Sequence, residues 1–417
     1  MKPLAKKAVV AVLGYQIRKL KAKNQFKVVG VVGSIGKTST KLAIAQVLSQ
    51  GFKVQYQQGN YNDLVSVPLI FFGESLPSLY NPLAWLGLFW RNQKALAQKY
   101  PYDIVVVELG SDTPGQINEF KRYLDIEIGV VSAITPEHME NFADLDAVAK
   151  EELALATYSS LLIVNKDLVD DIYLKGLDDI LTYGIEKPAN YSLKEATAKT
   201  SVVSDGGSLF DIDTANRSGA ELYSVLAAST VSLKLGMEPA AIKKGIASIK
   251  PVPGRMQQLA GINGSTIIDD SYNASPQAVE LAINSLYKIK APQKIALLGN
   301  MNELGKFSPS AHTTVGKLCD PKQLDLVVTL GPDANKFTAT AAEHQGCEVK
   351  RFDSPYEAGD YLKQMVKPGA VVLVKGSQNW VFAEEAIKSL LADPKDADKL
   401  VRQSDHWLAV KKKAFNR

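Results

Sequence analysis

A chain of 417 residues, 46% hydrophobic and 22% charged, is too long for one ordinary core and too apolar for disorder, so two or three folded domains are expected. A formal net charge of +4 over that length carries no signature of nucleic acid, and no nucleic-acid partner is expected. The two cysteines, Cys319 and Cys347, match no zinc or redox spacing, which fits a reducing, cytoplasmic setting.

Residues 1–26 come first, as a short basic helix. Residues 1–27 contain Lys2, Lys6, Lys7, Arg18, Lys19, Lys21, Lys23 and Lys27 without a single acid. The apolar run between them, AVVAVLGYQI, is about half the ~20 residues that cross a bilayer, and no small-residue cleavage site follows it. An amphipathic helix packed on the next domain, lysines in water, is the favoured reading; weak contact with a membrane surface is the other. QFKVVGVVG then reads as a buried strand, and KTSTKLAIAQVLSQG as a helix ending at Gly51. The apolar region 66–90 is broken by Pro68, Pro77, Pro82 and Glu74, which predicts core or a substrate-pocket wall rather than a span.

Strand-like runs follow at DIVVVELG (103–110), EIGVVSAIT (127–135) and SLLIVNKD (160–167), with helical patterns in most of the gaps. Residues 27–253 are therefore a central α/β domain with a largely parallel sheet. KPVPGR (250–255) reads as a hinge. Beyond it STIIDD, KIALLGN, LDLVVTLG and AVVLVKGS predict a second, Rossmann-like α/β domain over 254–417. The sequence holds no internal repeats and no low-complexity tract.

Chemistry enters at GSIGKTST, residues 33–40, placed between a strand and a helix. Gly33, Ser34 and Gly36 form a loop whose backbone N–H groups, with Ser39 in the first helical turn, can face phosphate. Lys37 supplies a cation and the Thr38 hydroxyl a magnesium ligand. Val31 stands where the full spacing has glycine, so the loop is a shortened version. Glu108 closes a run of apolar strand residues, a poor place for a solvated acid and a good one for a metal-binding carboxylate. His138, just past the next strand, is a candidate for a second metal position.

GSIGKTST, GNYNDLVSVPL (59–69), ELGSDTPGQI (108–117), TPEHMENF (135–142), VPGR (252–255), IDDSYNASPQA (268–278), LGNMNELG (298–305), HTTVGKL (312–318) and LVKGS (373–377) follow one another in order. This series resembles the Mur ligases, and IDDSYNASP followed by LGNMNELG is closest to the MurF branch. The resemblance runs from about residue 27 to about residue 390. It implies a P-loop central ATPase domain and a C-terminal domain that closes on it. It also implies ATP and Mg2+ as cofactors, and peptidoglycan-precursor chemistry in which D-Ala-D-Ala is joined to a muramoyl-peptide carboxylate through an acyl phosphate. Small-molecule peptide and nucleotide-sugar substrates and a monomer are the expectation.

Carried over by position, Lys37, His138, Glu152 and Lys375 are the implied catalytic residues, and Thr38, Glu108 and His138 the metal ligands. Arg255, Asp269 and Asn273 join the loop in binding nucleotide. Asn60 and Asn62 are the implied substrate-side asparagines, while Asn165 and Asp167 resemble the family's Asn-x-Asp-Asp turn. Several positions depart from the pattern. No UDP-binding domain precedes the loop. Glu152 stands where many family members carry a carbamylated lysine, with Lys150 nearby as a modified-lysine alternative and an exposed helical acid as the bland one. Ala220 and Ser224 replace the histidine and asparagine of the adenine-side helix. Gln378 replaces an arginine, and Asn300 an acid. A same-fold ligase for another cell-wall precursor, and a non-catalytic ATP-binding scaffold, remain open alternatives.

Overall fold

In a computed structural model, residues 3–59, 61–78, 81–196, 199–204, 207–214, 217 and 219–415 are described. The basic segment is helix α1 (Pro3–Lys23), followed by β1 (Lys27–Val32), α2 (Lys37–Leu48), β2 (Val54–Gln55), α3 (Val67–Phe72), α4 (Pro82–Ala95) and β3 (Ile104–Glu108). Then come α5 (Gln116–Phe120), β4 (Ile126–Val131), α6 (Leu145–Leu153), β5 (Ser159–Asn165), β6 (Ile180–Gly184), β7 (Tyr191–Ala196), β8 (Lys199–Ser204), β9 (Gly207–Ile212), α7 (Gly219–Lys234) and α8 (Pro239–Ala247). Two compact units divide the chain: residues 1–135, 141–217 and 221–249 form one, and residues 136–140, 218–220 and 250–417 the other.

The first unit is built on one sheet in the order β2-β3-β1-β4-β5-β6-β7-β8-β9. Its strands run parallel as far as β7, and β8 and β9 turn antiparallel. The central strands are β-branched runs buried on both faces, as a sheet covered by helices requires. Val29, Val31, Ile44, Leu48, Val106 and Ile128 sit in one continuous core, each contributing about 1.5–3 kcal/mol by leaving water. The antiparallel end at 191–212 is not anticipated by the sequence, where polar residues interrupt the apolar pattern.

Helix α1 packs with its apolar face inward. Leu13, Ile17 and Leu20 are buried, and α1 lies against α3 and α4. The buried Gln16 donates to the Phe89 carbonyl at 2.9 Å and accepts from Asn92 at 2.9 Å, which fixes α1 to α4. Several of the basic side chains are tied to the protein: Arg18 donates to the Arg122 carbonyl, Lys21 to that of Asp125 and Lys23 to that of Leu96. The region 66–90 is only partly core. Leu69, Trp85 and Leu88 are buried, whereas Leu83, Leu86 and Trp90 are exposed, because α4 turns one face in and the other out.

The second unit comprises β10 (Gln257–Ala260), β11 (Thr266–Asp270), α9 (Pro276–Lys288), β12 (Lys294–Gly299), α10 (Ser308–Lys317), β13 (Leu326–Leu330) and α11 (Ala339–His344). It continues with β14 (Val349–Phe352), α12 (Pro355–Met365), β15 (Val371–Lys375), α13 (Glu384–Lys388) and α14 (Asp405–Ala414). Its sheet order is β10-β11-β15-β12-β13-β14, parallel except for the β10 edge. Helices α12 and α13 cover one face through Leu362, Ile387 and Leu390, and α9 and α10 the other through Ile283, Leu286 and Val315. This is the doubly covered parallel sheet expected from the four apolar strand runs. No described helix is long and apolar enough to cross a membrane.

Candidate active site

In a parallel sheet, ligands gather at the carboxyl ends of strands where the order reverses. In the first unit that place is the end of β1, flanked by β3 on one side and β4 on the other. Gly33 and Gly36 adopt φ of 127° and 81°, so the chain can turn tightly from β1 into α2. A Cβ on Gly33 would stand 2.4 Å from Ser132 Oγ and 2.8 Å from the Ala133 nitrogen, so the loop lies flush on the end of β4. Ser34 donates its N–H to the Ala133 carbonyl and accepts from the Thr135 N–H at 2.9 Å. Ser132 Oγ donates to the Ile35 carbonyl at 2.6 Å. The loop is thus a rigid cradle ahead of a helix N-terminus, with Lys37 and the buried Thr38 in the first turn of α2 and Ser39 half-buried beside them.

Glu108 arrives by register. β1 and β3 pair Val31 with Glu108, which sets the carboxylate beside the loop. It is 1% exposed, and its partner was not singled out from the sequence: Lys41 Nζ, also fully buried, lies 3.3 Å from Glu108 Oε2 and donates to the Gly59 carbonyl at 2.9 Å. Asn62 Nδ2 reaches Glu108 Oε1 at 3.3 Å. An isolated buried carboxylate would be too costly, and here Lys41 supplies the opposite charge and Asn62 a hydrogen bond next to the phosphate loop. The only signal for Lys41 was a lysine inside the apolar KLAIA stretch of α2. Asn60 lies outside the described residues.

Glu152 is not an exposed helical acid. It is buried on α6, and its Oε2 accepts the Gly33 N–H at 2.8 Å, gripping the loop from beneath. Lys150, two residues back on α6, is exposed, so the geometry does not bring the modified-lysine alternative to the loop. The adjacent Glu151, overlooked in the sequence, accepts from the Gly115 and Ile117 N–H groups and from Ser111, pinning the segment that follows Glu108. Asn165 accepts the Asp167 N–H at 3.1 Å, and the Asp167 carboxylate accepts from the N–H groups of Ile185, Glu186 and Lys187; this turn is structurally occupied. Ser224 stands 3.4 Å from Thr40 on α2.

The remaining candidates lie in the second unit, where loops after β11, β15 and β12 are knitted together. Lys375 is almost fully buried and pairs with Asp270 Oδ2 at 2.8 Å, and it also donates to the Asn273 carbonyl at 2.5 Å. Asn273 Oδ1 accepts from Ser377 Oγ at 2.9 Å, and the Ser377 N–H donates to the Asn300 carbonyl. Asn300 in turn accepts the Ala334 N–H, and the Gln378 carbonyl accepts from Asn302. Arg255 lies 4.3 Å from the centre of the Tyr272 ring. Asp269 is fully buried and accepts both the N–H and the hydroxyl of Ser271; burial pushes its carboxyl up to about 6 despite these bonds. His138 belongs to this unit, with its Nδ1 2.8 Å from Glu303 Oε2, and that contact holds the Glu303 carboxyl below its usual range.

Among the described residues no three His, Cys, Asp or Glu side chains form a metal cage. Magnesium on a triphosphate needs none, since one or two protein oxygens with phosphates and water complete its octahedron. Thr38 and Glu108 suit that role: a hydroxyl in the first turn and a carboxylate at the adjacent strand end.

Comparison with known proteins points the same way. Residues 89–229 match the Mur ligase middle domain, and residues 254–378 the Mur ligase, glutamate ligase domain. The chain is 27% identical over 384 residues to the UDP-N-acetylmuramoyl-tripeptide–D-alanyl-D-alanine ligase of Escherichia coli, covering 87% of this chain and 76% of that protein. To the enzyme of the same name from Bacillus subtilis it is 24% identical over 382 residues, covering 88% and 76%. The fold matches the crystal structure of MurF ligase from Thermotoga maritima in complex with ADP, with a TM-score of 0.72 at 24% identity, over 94% of this chain and 84% of that one. Phosphate loop, strand-end carboxylate and both matched domains converge on one assignment: the chain belongs to the Mur ligase family.

Proposed function

We propose that the protein is an ATP-dependent ligase that forms an amide bond, joining D-Ala-D-Ala to the terminal carboxylate of a muramoyl peptide, as the names of its relatives describe for those proteins. The single observation that carries this reading is the built cradle at the end of β1, where Lys37, Thr38 and the buried Glu108 converge. Lys37 offsets negative charge on the phosphoryl group as it passes from ATP to the substrate carboxylate. Thr38 and Glu108 would hold magnesium, which supplies further charge neutralisation at the phosphate oxygens. The amine then attacks the activated carbonyl, the new C–N bond forms, and inorganic phosphate leaves with the carboxyl oxygen.

Glu152 and Ser132 hold the loop in shape, so both act as positioning residues. Lys41 is the buried countercharge of Glu108. In the second unit Lys375, paired with Asp270, holds the Asn273 carbonyl, and Arg255, over the face of Tyr272, is the proposed contact for nucleotide. His138, paired with Glu303, is the proposed contact near the acyl group. A reducing, cytosolic setting suits Cys319 and Cys347, both buried and unpaired.

Phosphate release from ATP is measured with the muramoyl tripeptide acceptor, with D-Ala-D-Ala, and with both. Release that needs both substrates supports the ligase. Nucleotide binding with no acceptor-dependent turnover would replace it with a scaffold. Lys37→Ala is expected to abolish turnover.

A further inference from the structure

The catalytic reading leaves one surface unused. Leu83, Leu86 and Trp90 fall at i, i+3 and i+7 on α4, on the side opposite Trp85, Leu88 and Asn92, which face the core. They are 77%, 62% and 59% exposed. Single exposed leucines are ordinary, but an apolar stripe along two turns of one helix is not. The neighbouring α1 adds Val12 and Tyr15, also exposed, together with exposed Lys6, Lys7 and Lys19.

The two helices repeat one device. Lys94 Nζ lies 3.5 Å from the centre of the Trp90 ring, and Lys19 Nζ 4.8 Å from that of Tyr15. Each pair sets an aromatic ring beside an ammonium four residues on, the combination suited to the boundary between acyl chains and headgroups. Residues 1–27 contain no acid, so this face asks for an anionic partner. A second copy docking symmetrically would set lysines against lysines.

We propose that the outer face of α4, flanked by the lysines of α1, docks on an anionic lipid surface. Leu83, Leu86 and Trp90 enter the interfacial layer, while Lys6, Lys7, Lys19 and Lys94 meet lipid phosphates. The inward-facing side of α1 takes no part, because it is already spent on α3 and α4.

Flotation of the full chain with vesicles tests this, using phosphatidylcholine alone or with phosphatidylglycerol at about a third of the lipid. The wild type is expected to float with the anionic vesicles, and to do so less as salt rises from about 0.05 to about 0.5 M. Leu86→Ser/Trp90→Ser should weaken binding at least about tenfold, with Leu83→Lys as an independent variant; all three positions are exposed and far-UV circular dichroism should not change. Lys6→Glu/Lys7→Glu/Lys19→Glu should cost on the order of fivefold per lysine. The proposal is overturned if the wild type ignores anionic vesicles or if either set of variants binds as the wild type does. It is also overturned if the chain elutes as a dimer that Leu86→Ser/Trp90→Ser separates, which would give the face to a second copy.

Discussion

The Gly33 N–H is held by Glu152 across 119 residues of chain, and its removal shows what the carboxylate does. Glu152→Ala leaves a buried donor unmet at a cost of about 1–3 kcal/mol, so the KM for ATP should rise on the order of tenfold. Glu152→Gln keeps an acceptor and should stay within about threefold of wild type in the same steady-state assay. His312 gives a pH test. It is fully buried, accepts the Met301 N–H at Nε2 and donates from Nδ1 to the Ser308 carbonyl, with Asp333 reached through Ser308. Burial pushes the imidazole below its usual range. Its folded value is therefore the lower one, and the unfolded chain takes up the proton first. The stability this neutral ring contributes is complete above about pH 6.5 and is lost as pH falls through that value and below. Thermal unfolding from pH 8 to pH 5 should show a steeper fall for wild type than for His312→Gln; equal slopes would remove His312 from the account. Lys37, Thr38 and Glu108 were legible because their signals are local: a glycine-framed turn, and an acid ending an apolar run. Lys41 beneath Glu108 and Glu152 beneath Gly33 were not, because their meaning lies in partners brought close only by the sheet.

Among the elements, the parallel strands were readable as short β-branched runs. Strands β7 to β9 were missed because half-buried antiparallel strands carry mixed polar residues. Helix α4 shows the same limit, since an apolar segment does not reveal which face is turned inward. The end of the chain illustrates element-scale energetics. Lys411 on α14 is buried against Glu384 Oε1 at 2.9 Å and Glu385 Oε1 at 2.6 Å, and Arg402 pairs with Glu384 at 2.7 Å. Burial alone would raise the Glu385 carboxyl, but the bonds from Lys411 and Lys388 outweigh it and hold it low. Lys411→Ala strands buried negative charge and should destabilise the second unit by about 3 kcal/mol, read from its denaturant midpoint. Gly359 on α12 allows close approach to α13: a Cβ there would meet the Ala386 carbonyl oxygen at 2.7 Å, so Gly359→Ala should also lower that midpoint.

For the molecule as a whole, the expected boundary was at 253/254, and the chain divides into two compact units with the longest stretch of the second beginning at Lys250. Each unit has its own core, so calorimetry should resolve more than one transition rather than a single two-state melt. Mg-ATP at a hundredfold excess over Kd should stabilise the unit carrying the phosphate loop by about 2.7 kcal/mol, and Lys37→Ala should erase the shift. The buried charges near the end of the chain also reach further than stability. Arg402 donates to the carbonyls of Ser271 and Tyr272, directly ahead of Asn273, while Lys411 closes on the Arg402 carbonyl. The last helix therefore works as a latch on the segment assigned to nucleotide. Trimming the protein back past Arg402 should blunt nucleotide use although none of the trimmed residues is among those proposed to bind nucleotide.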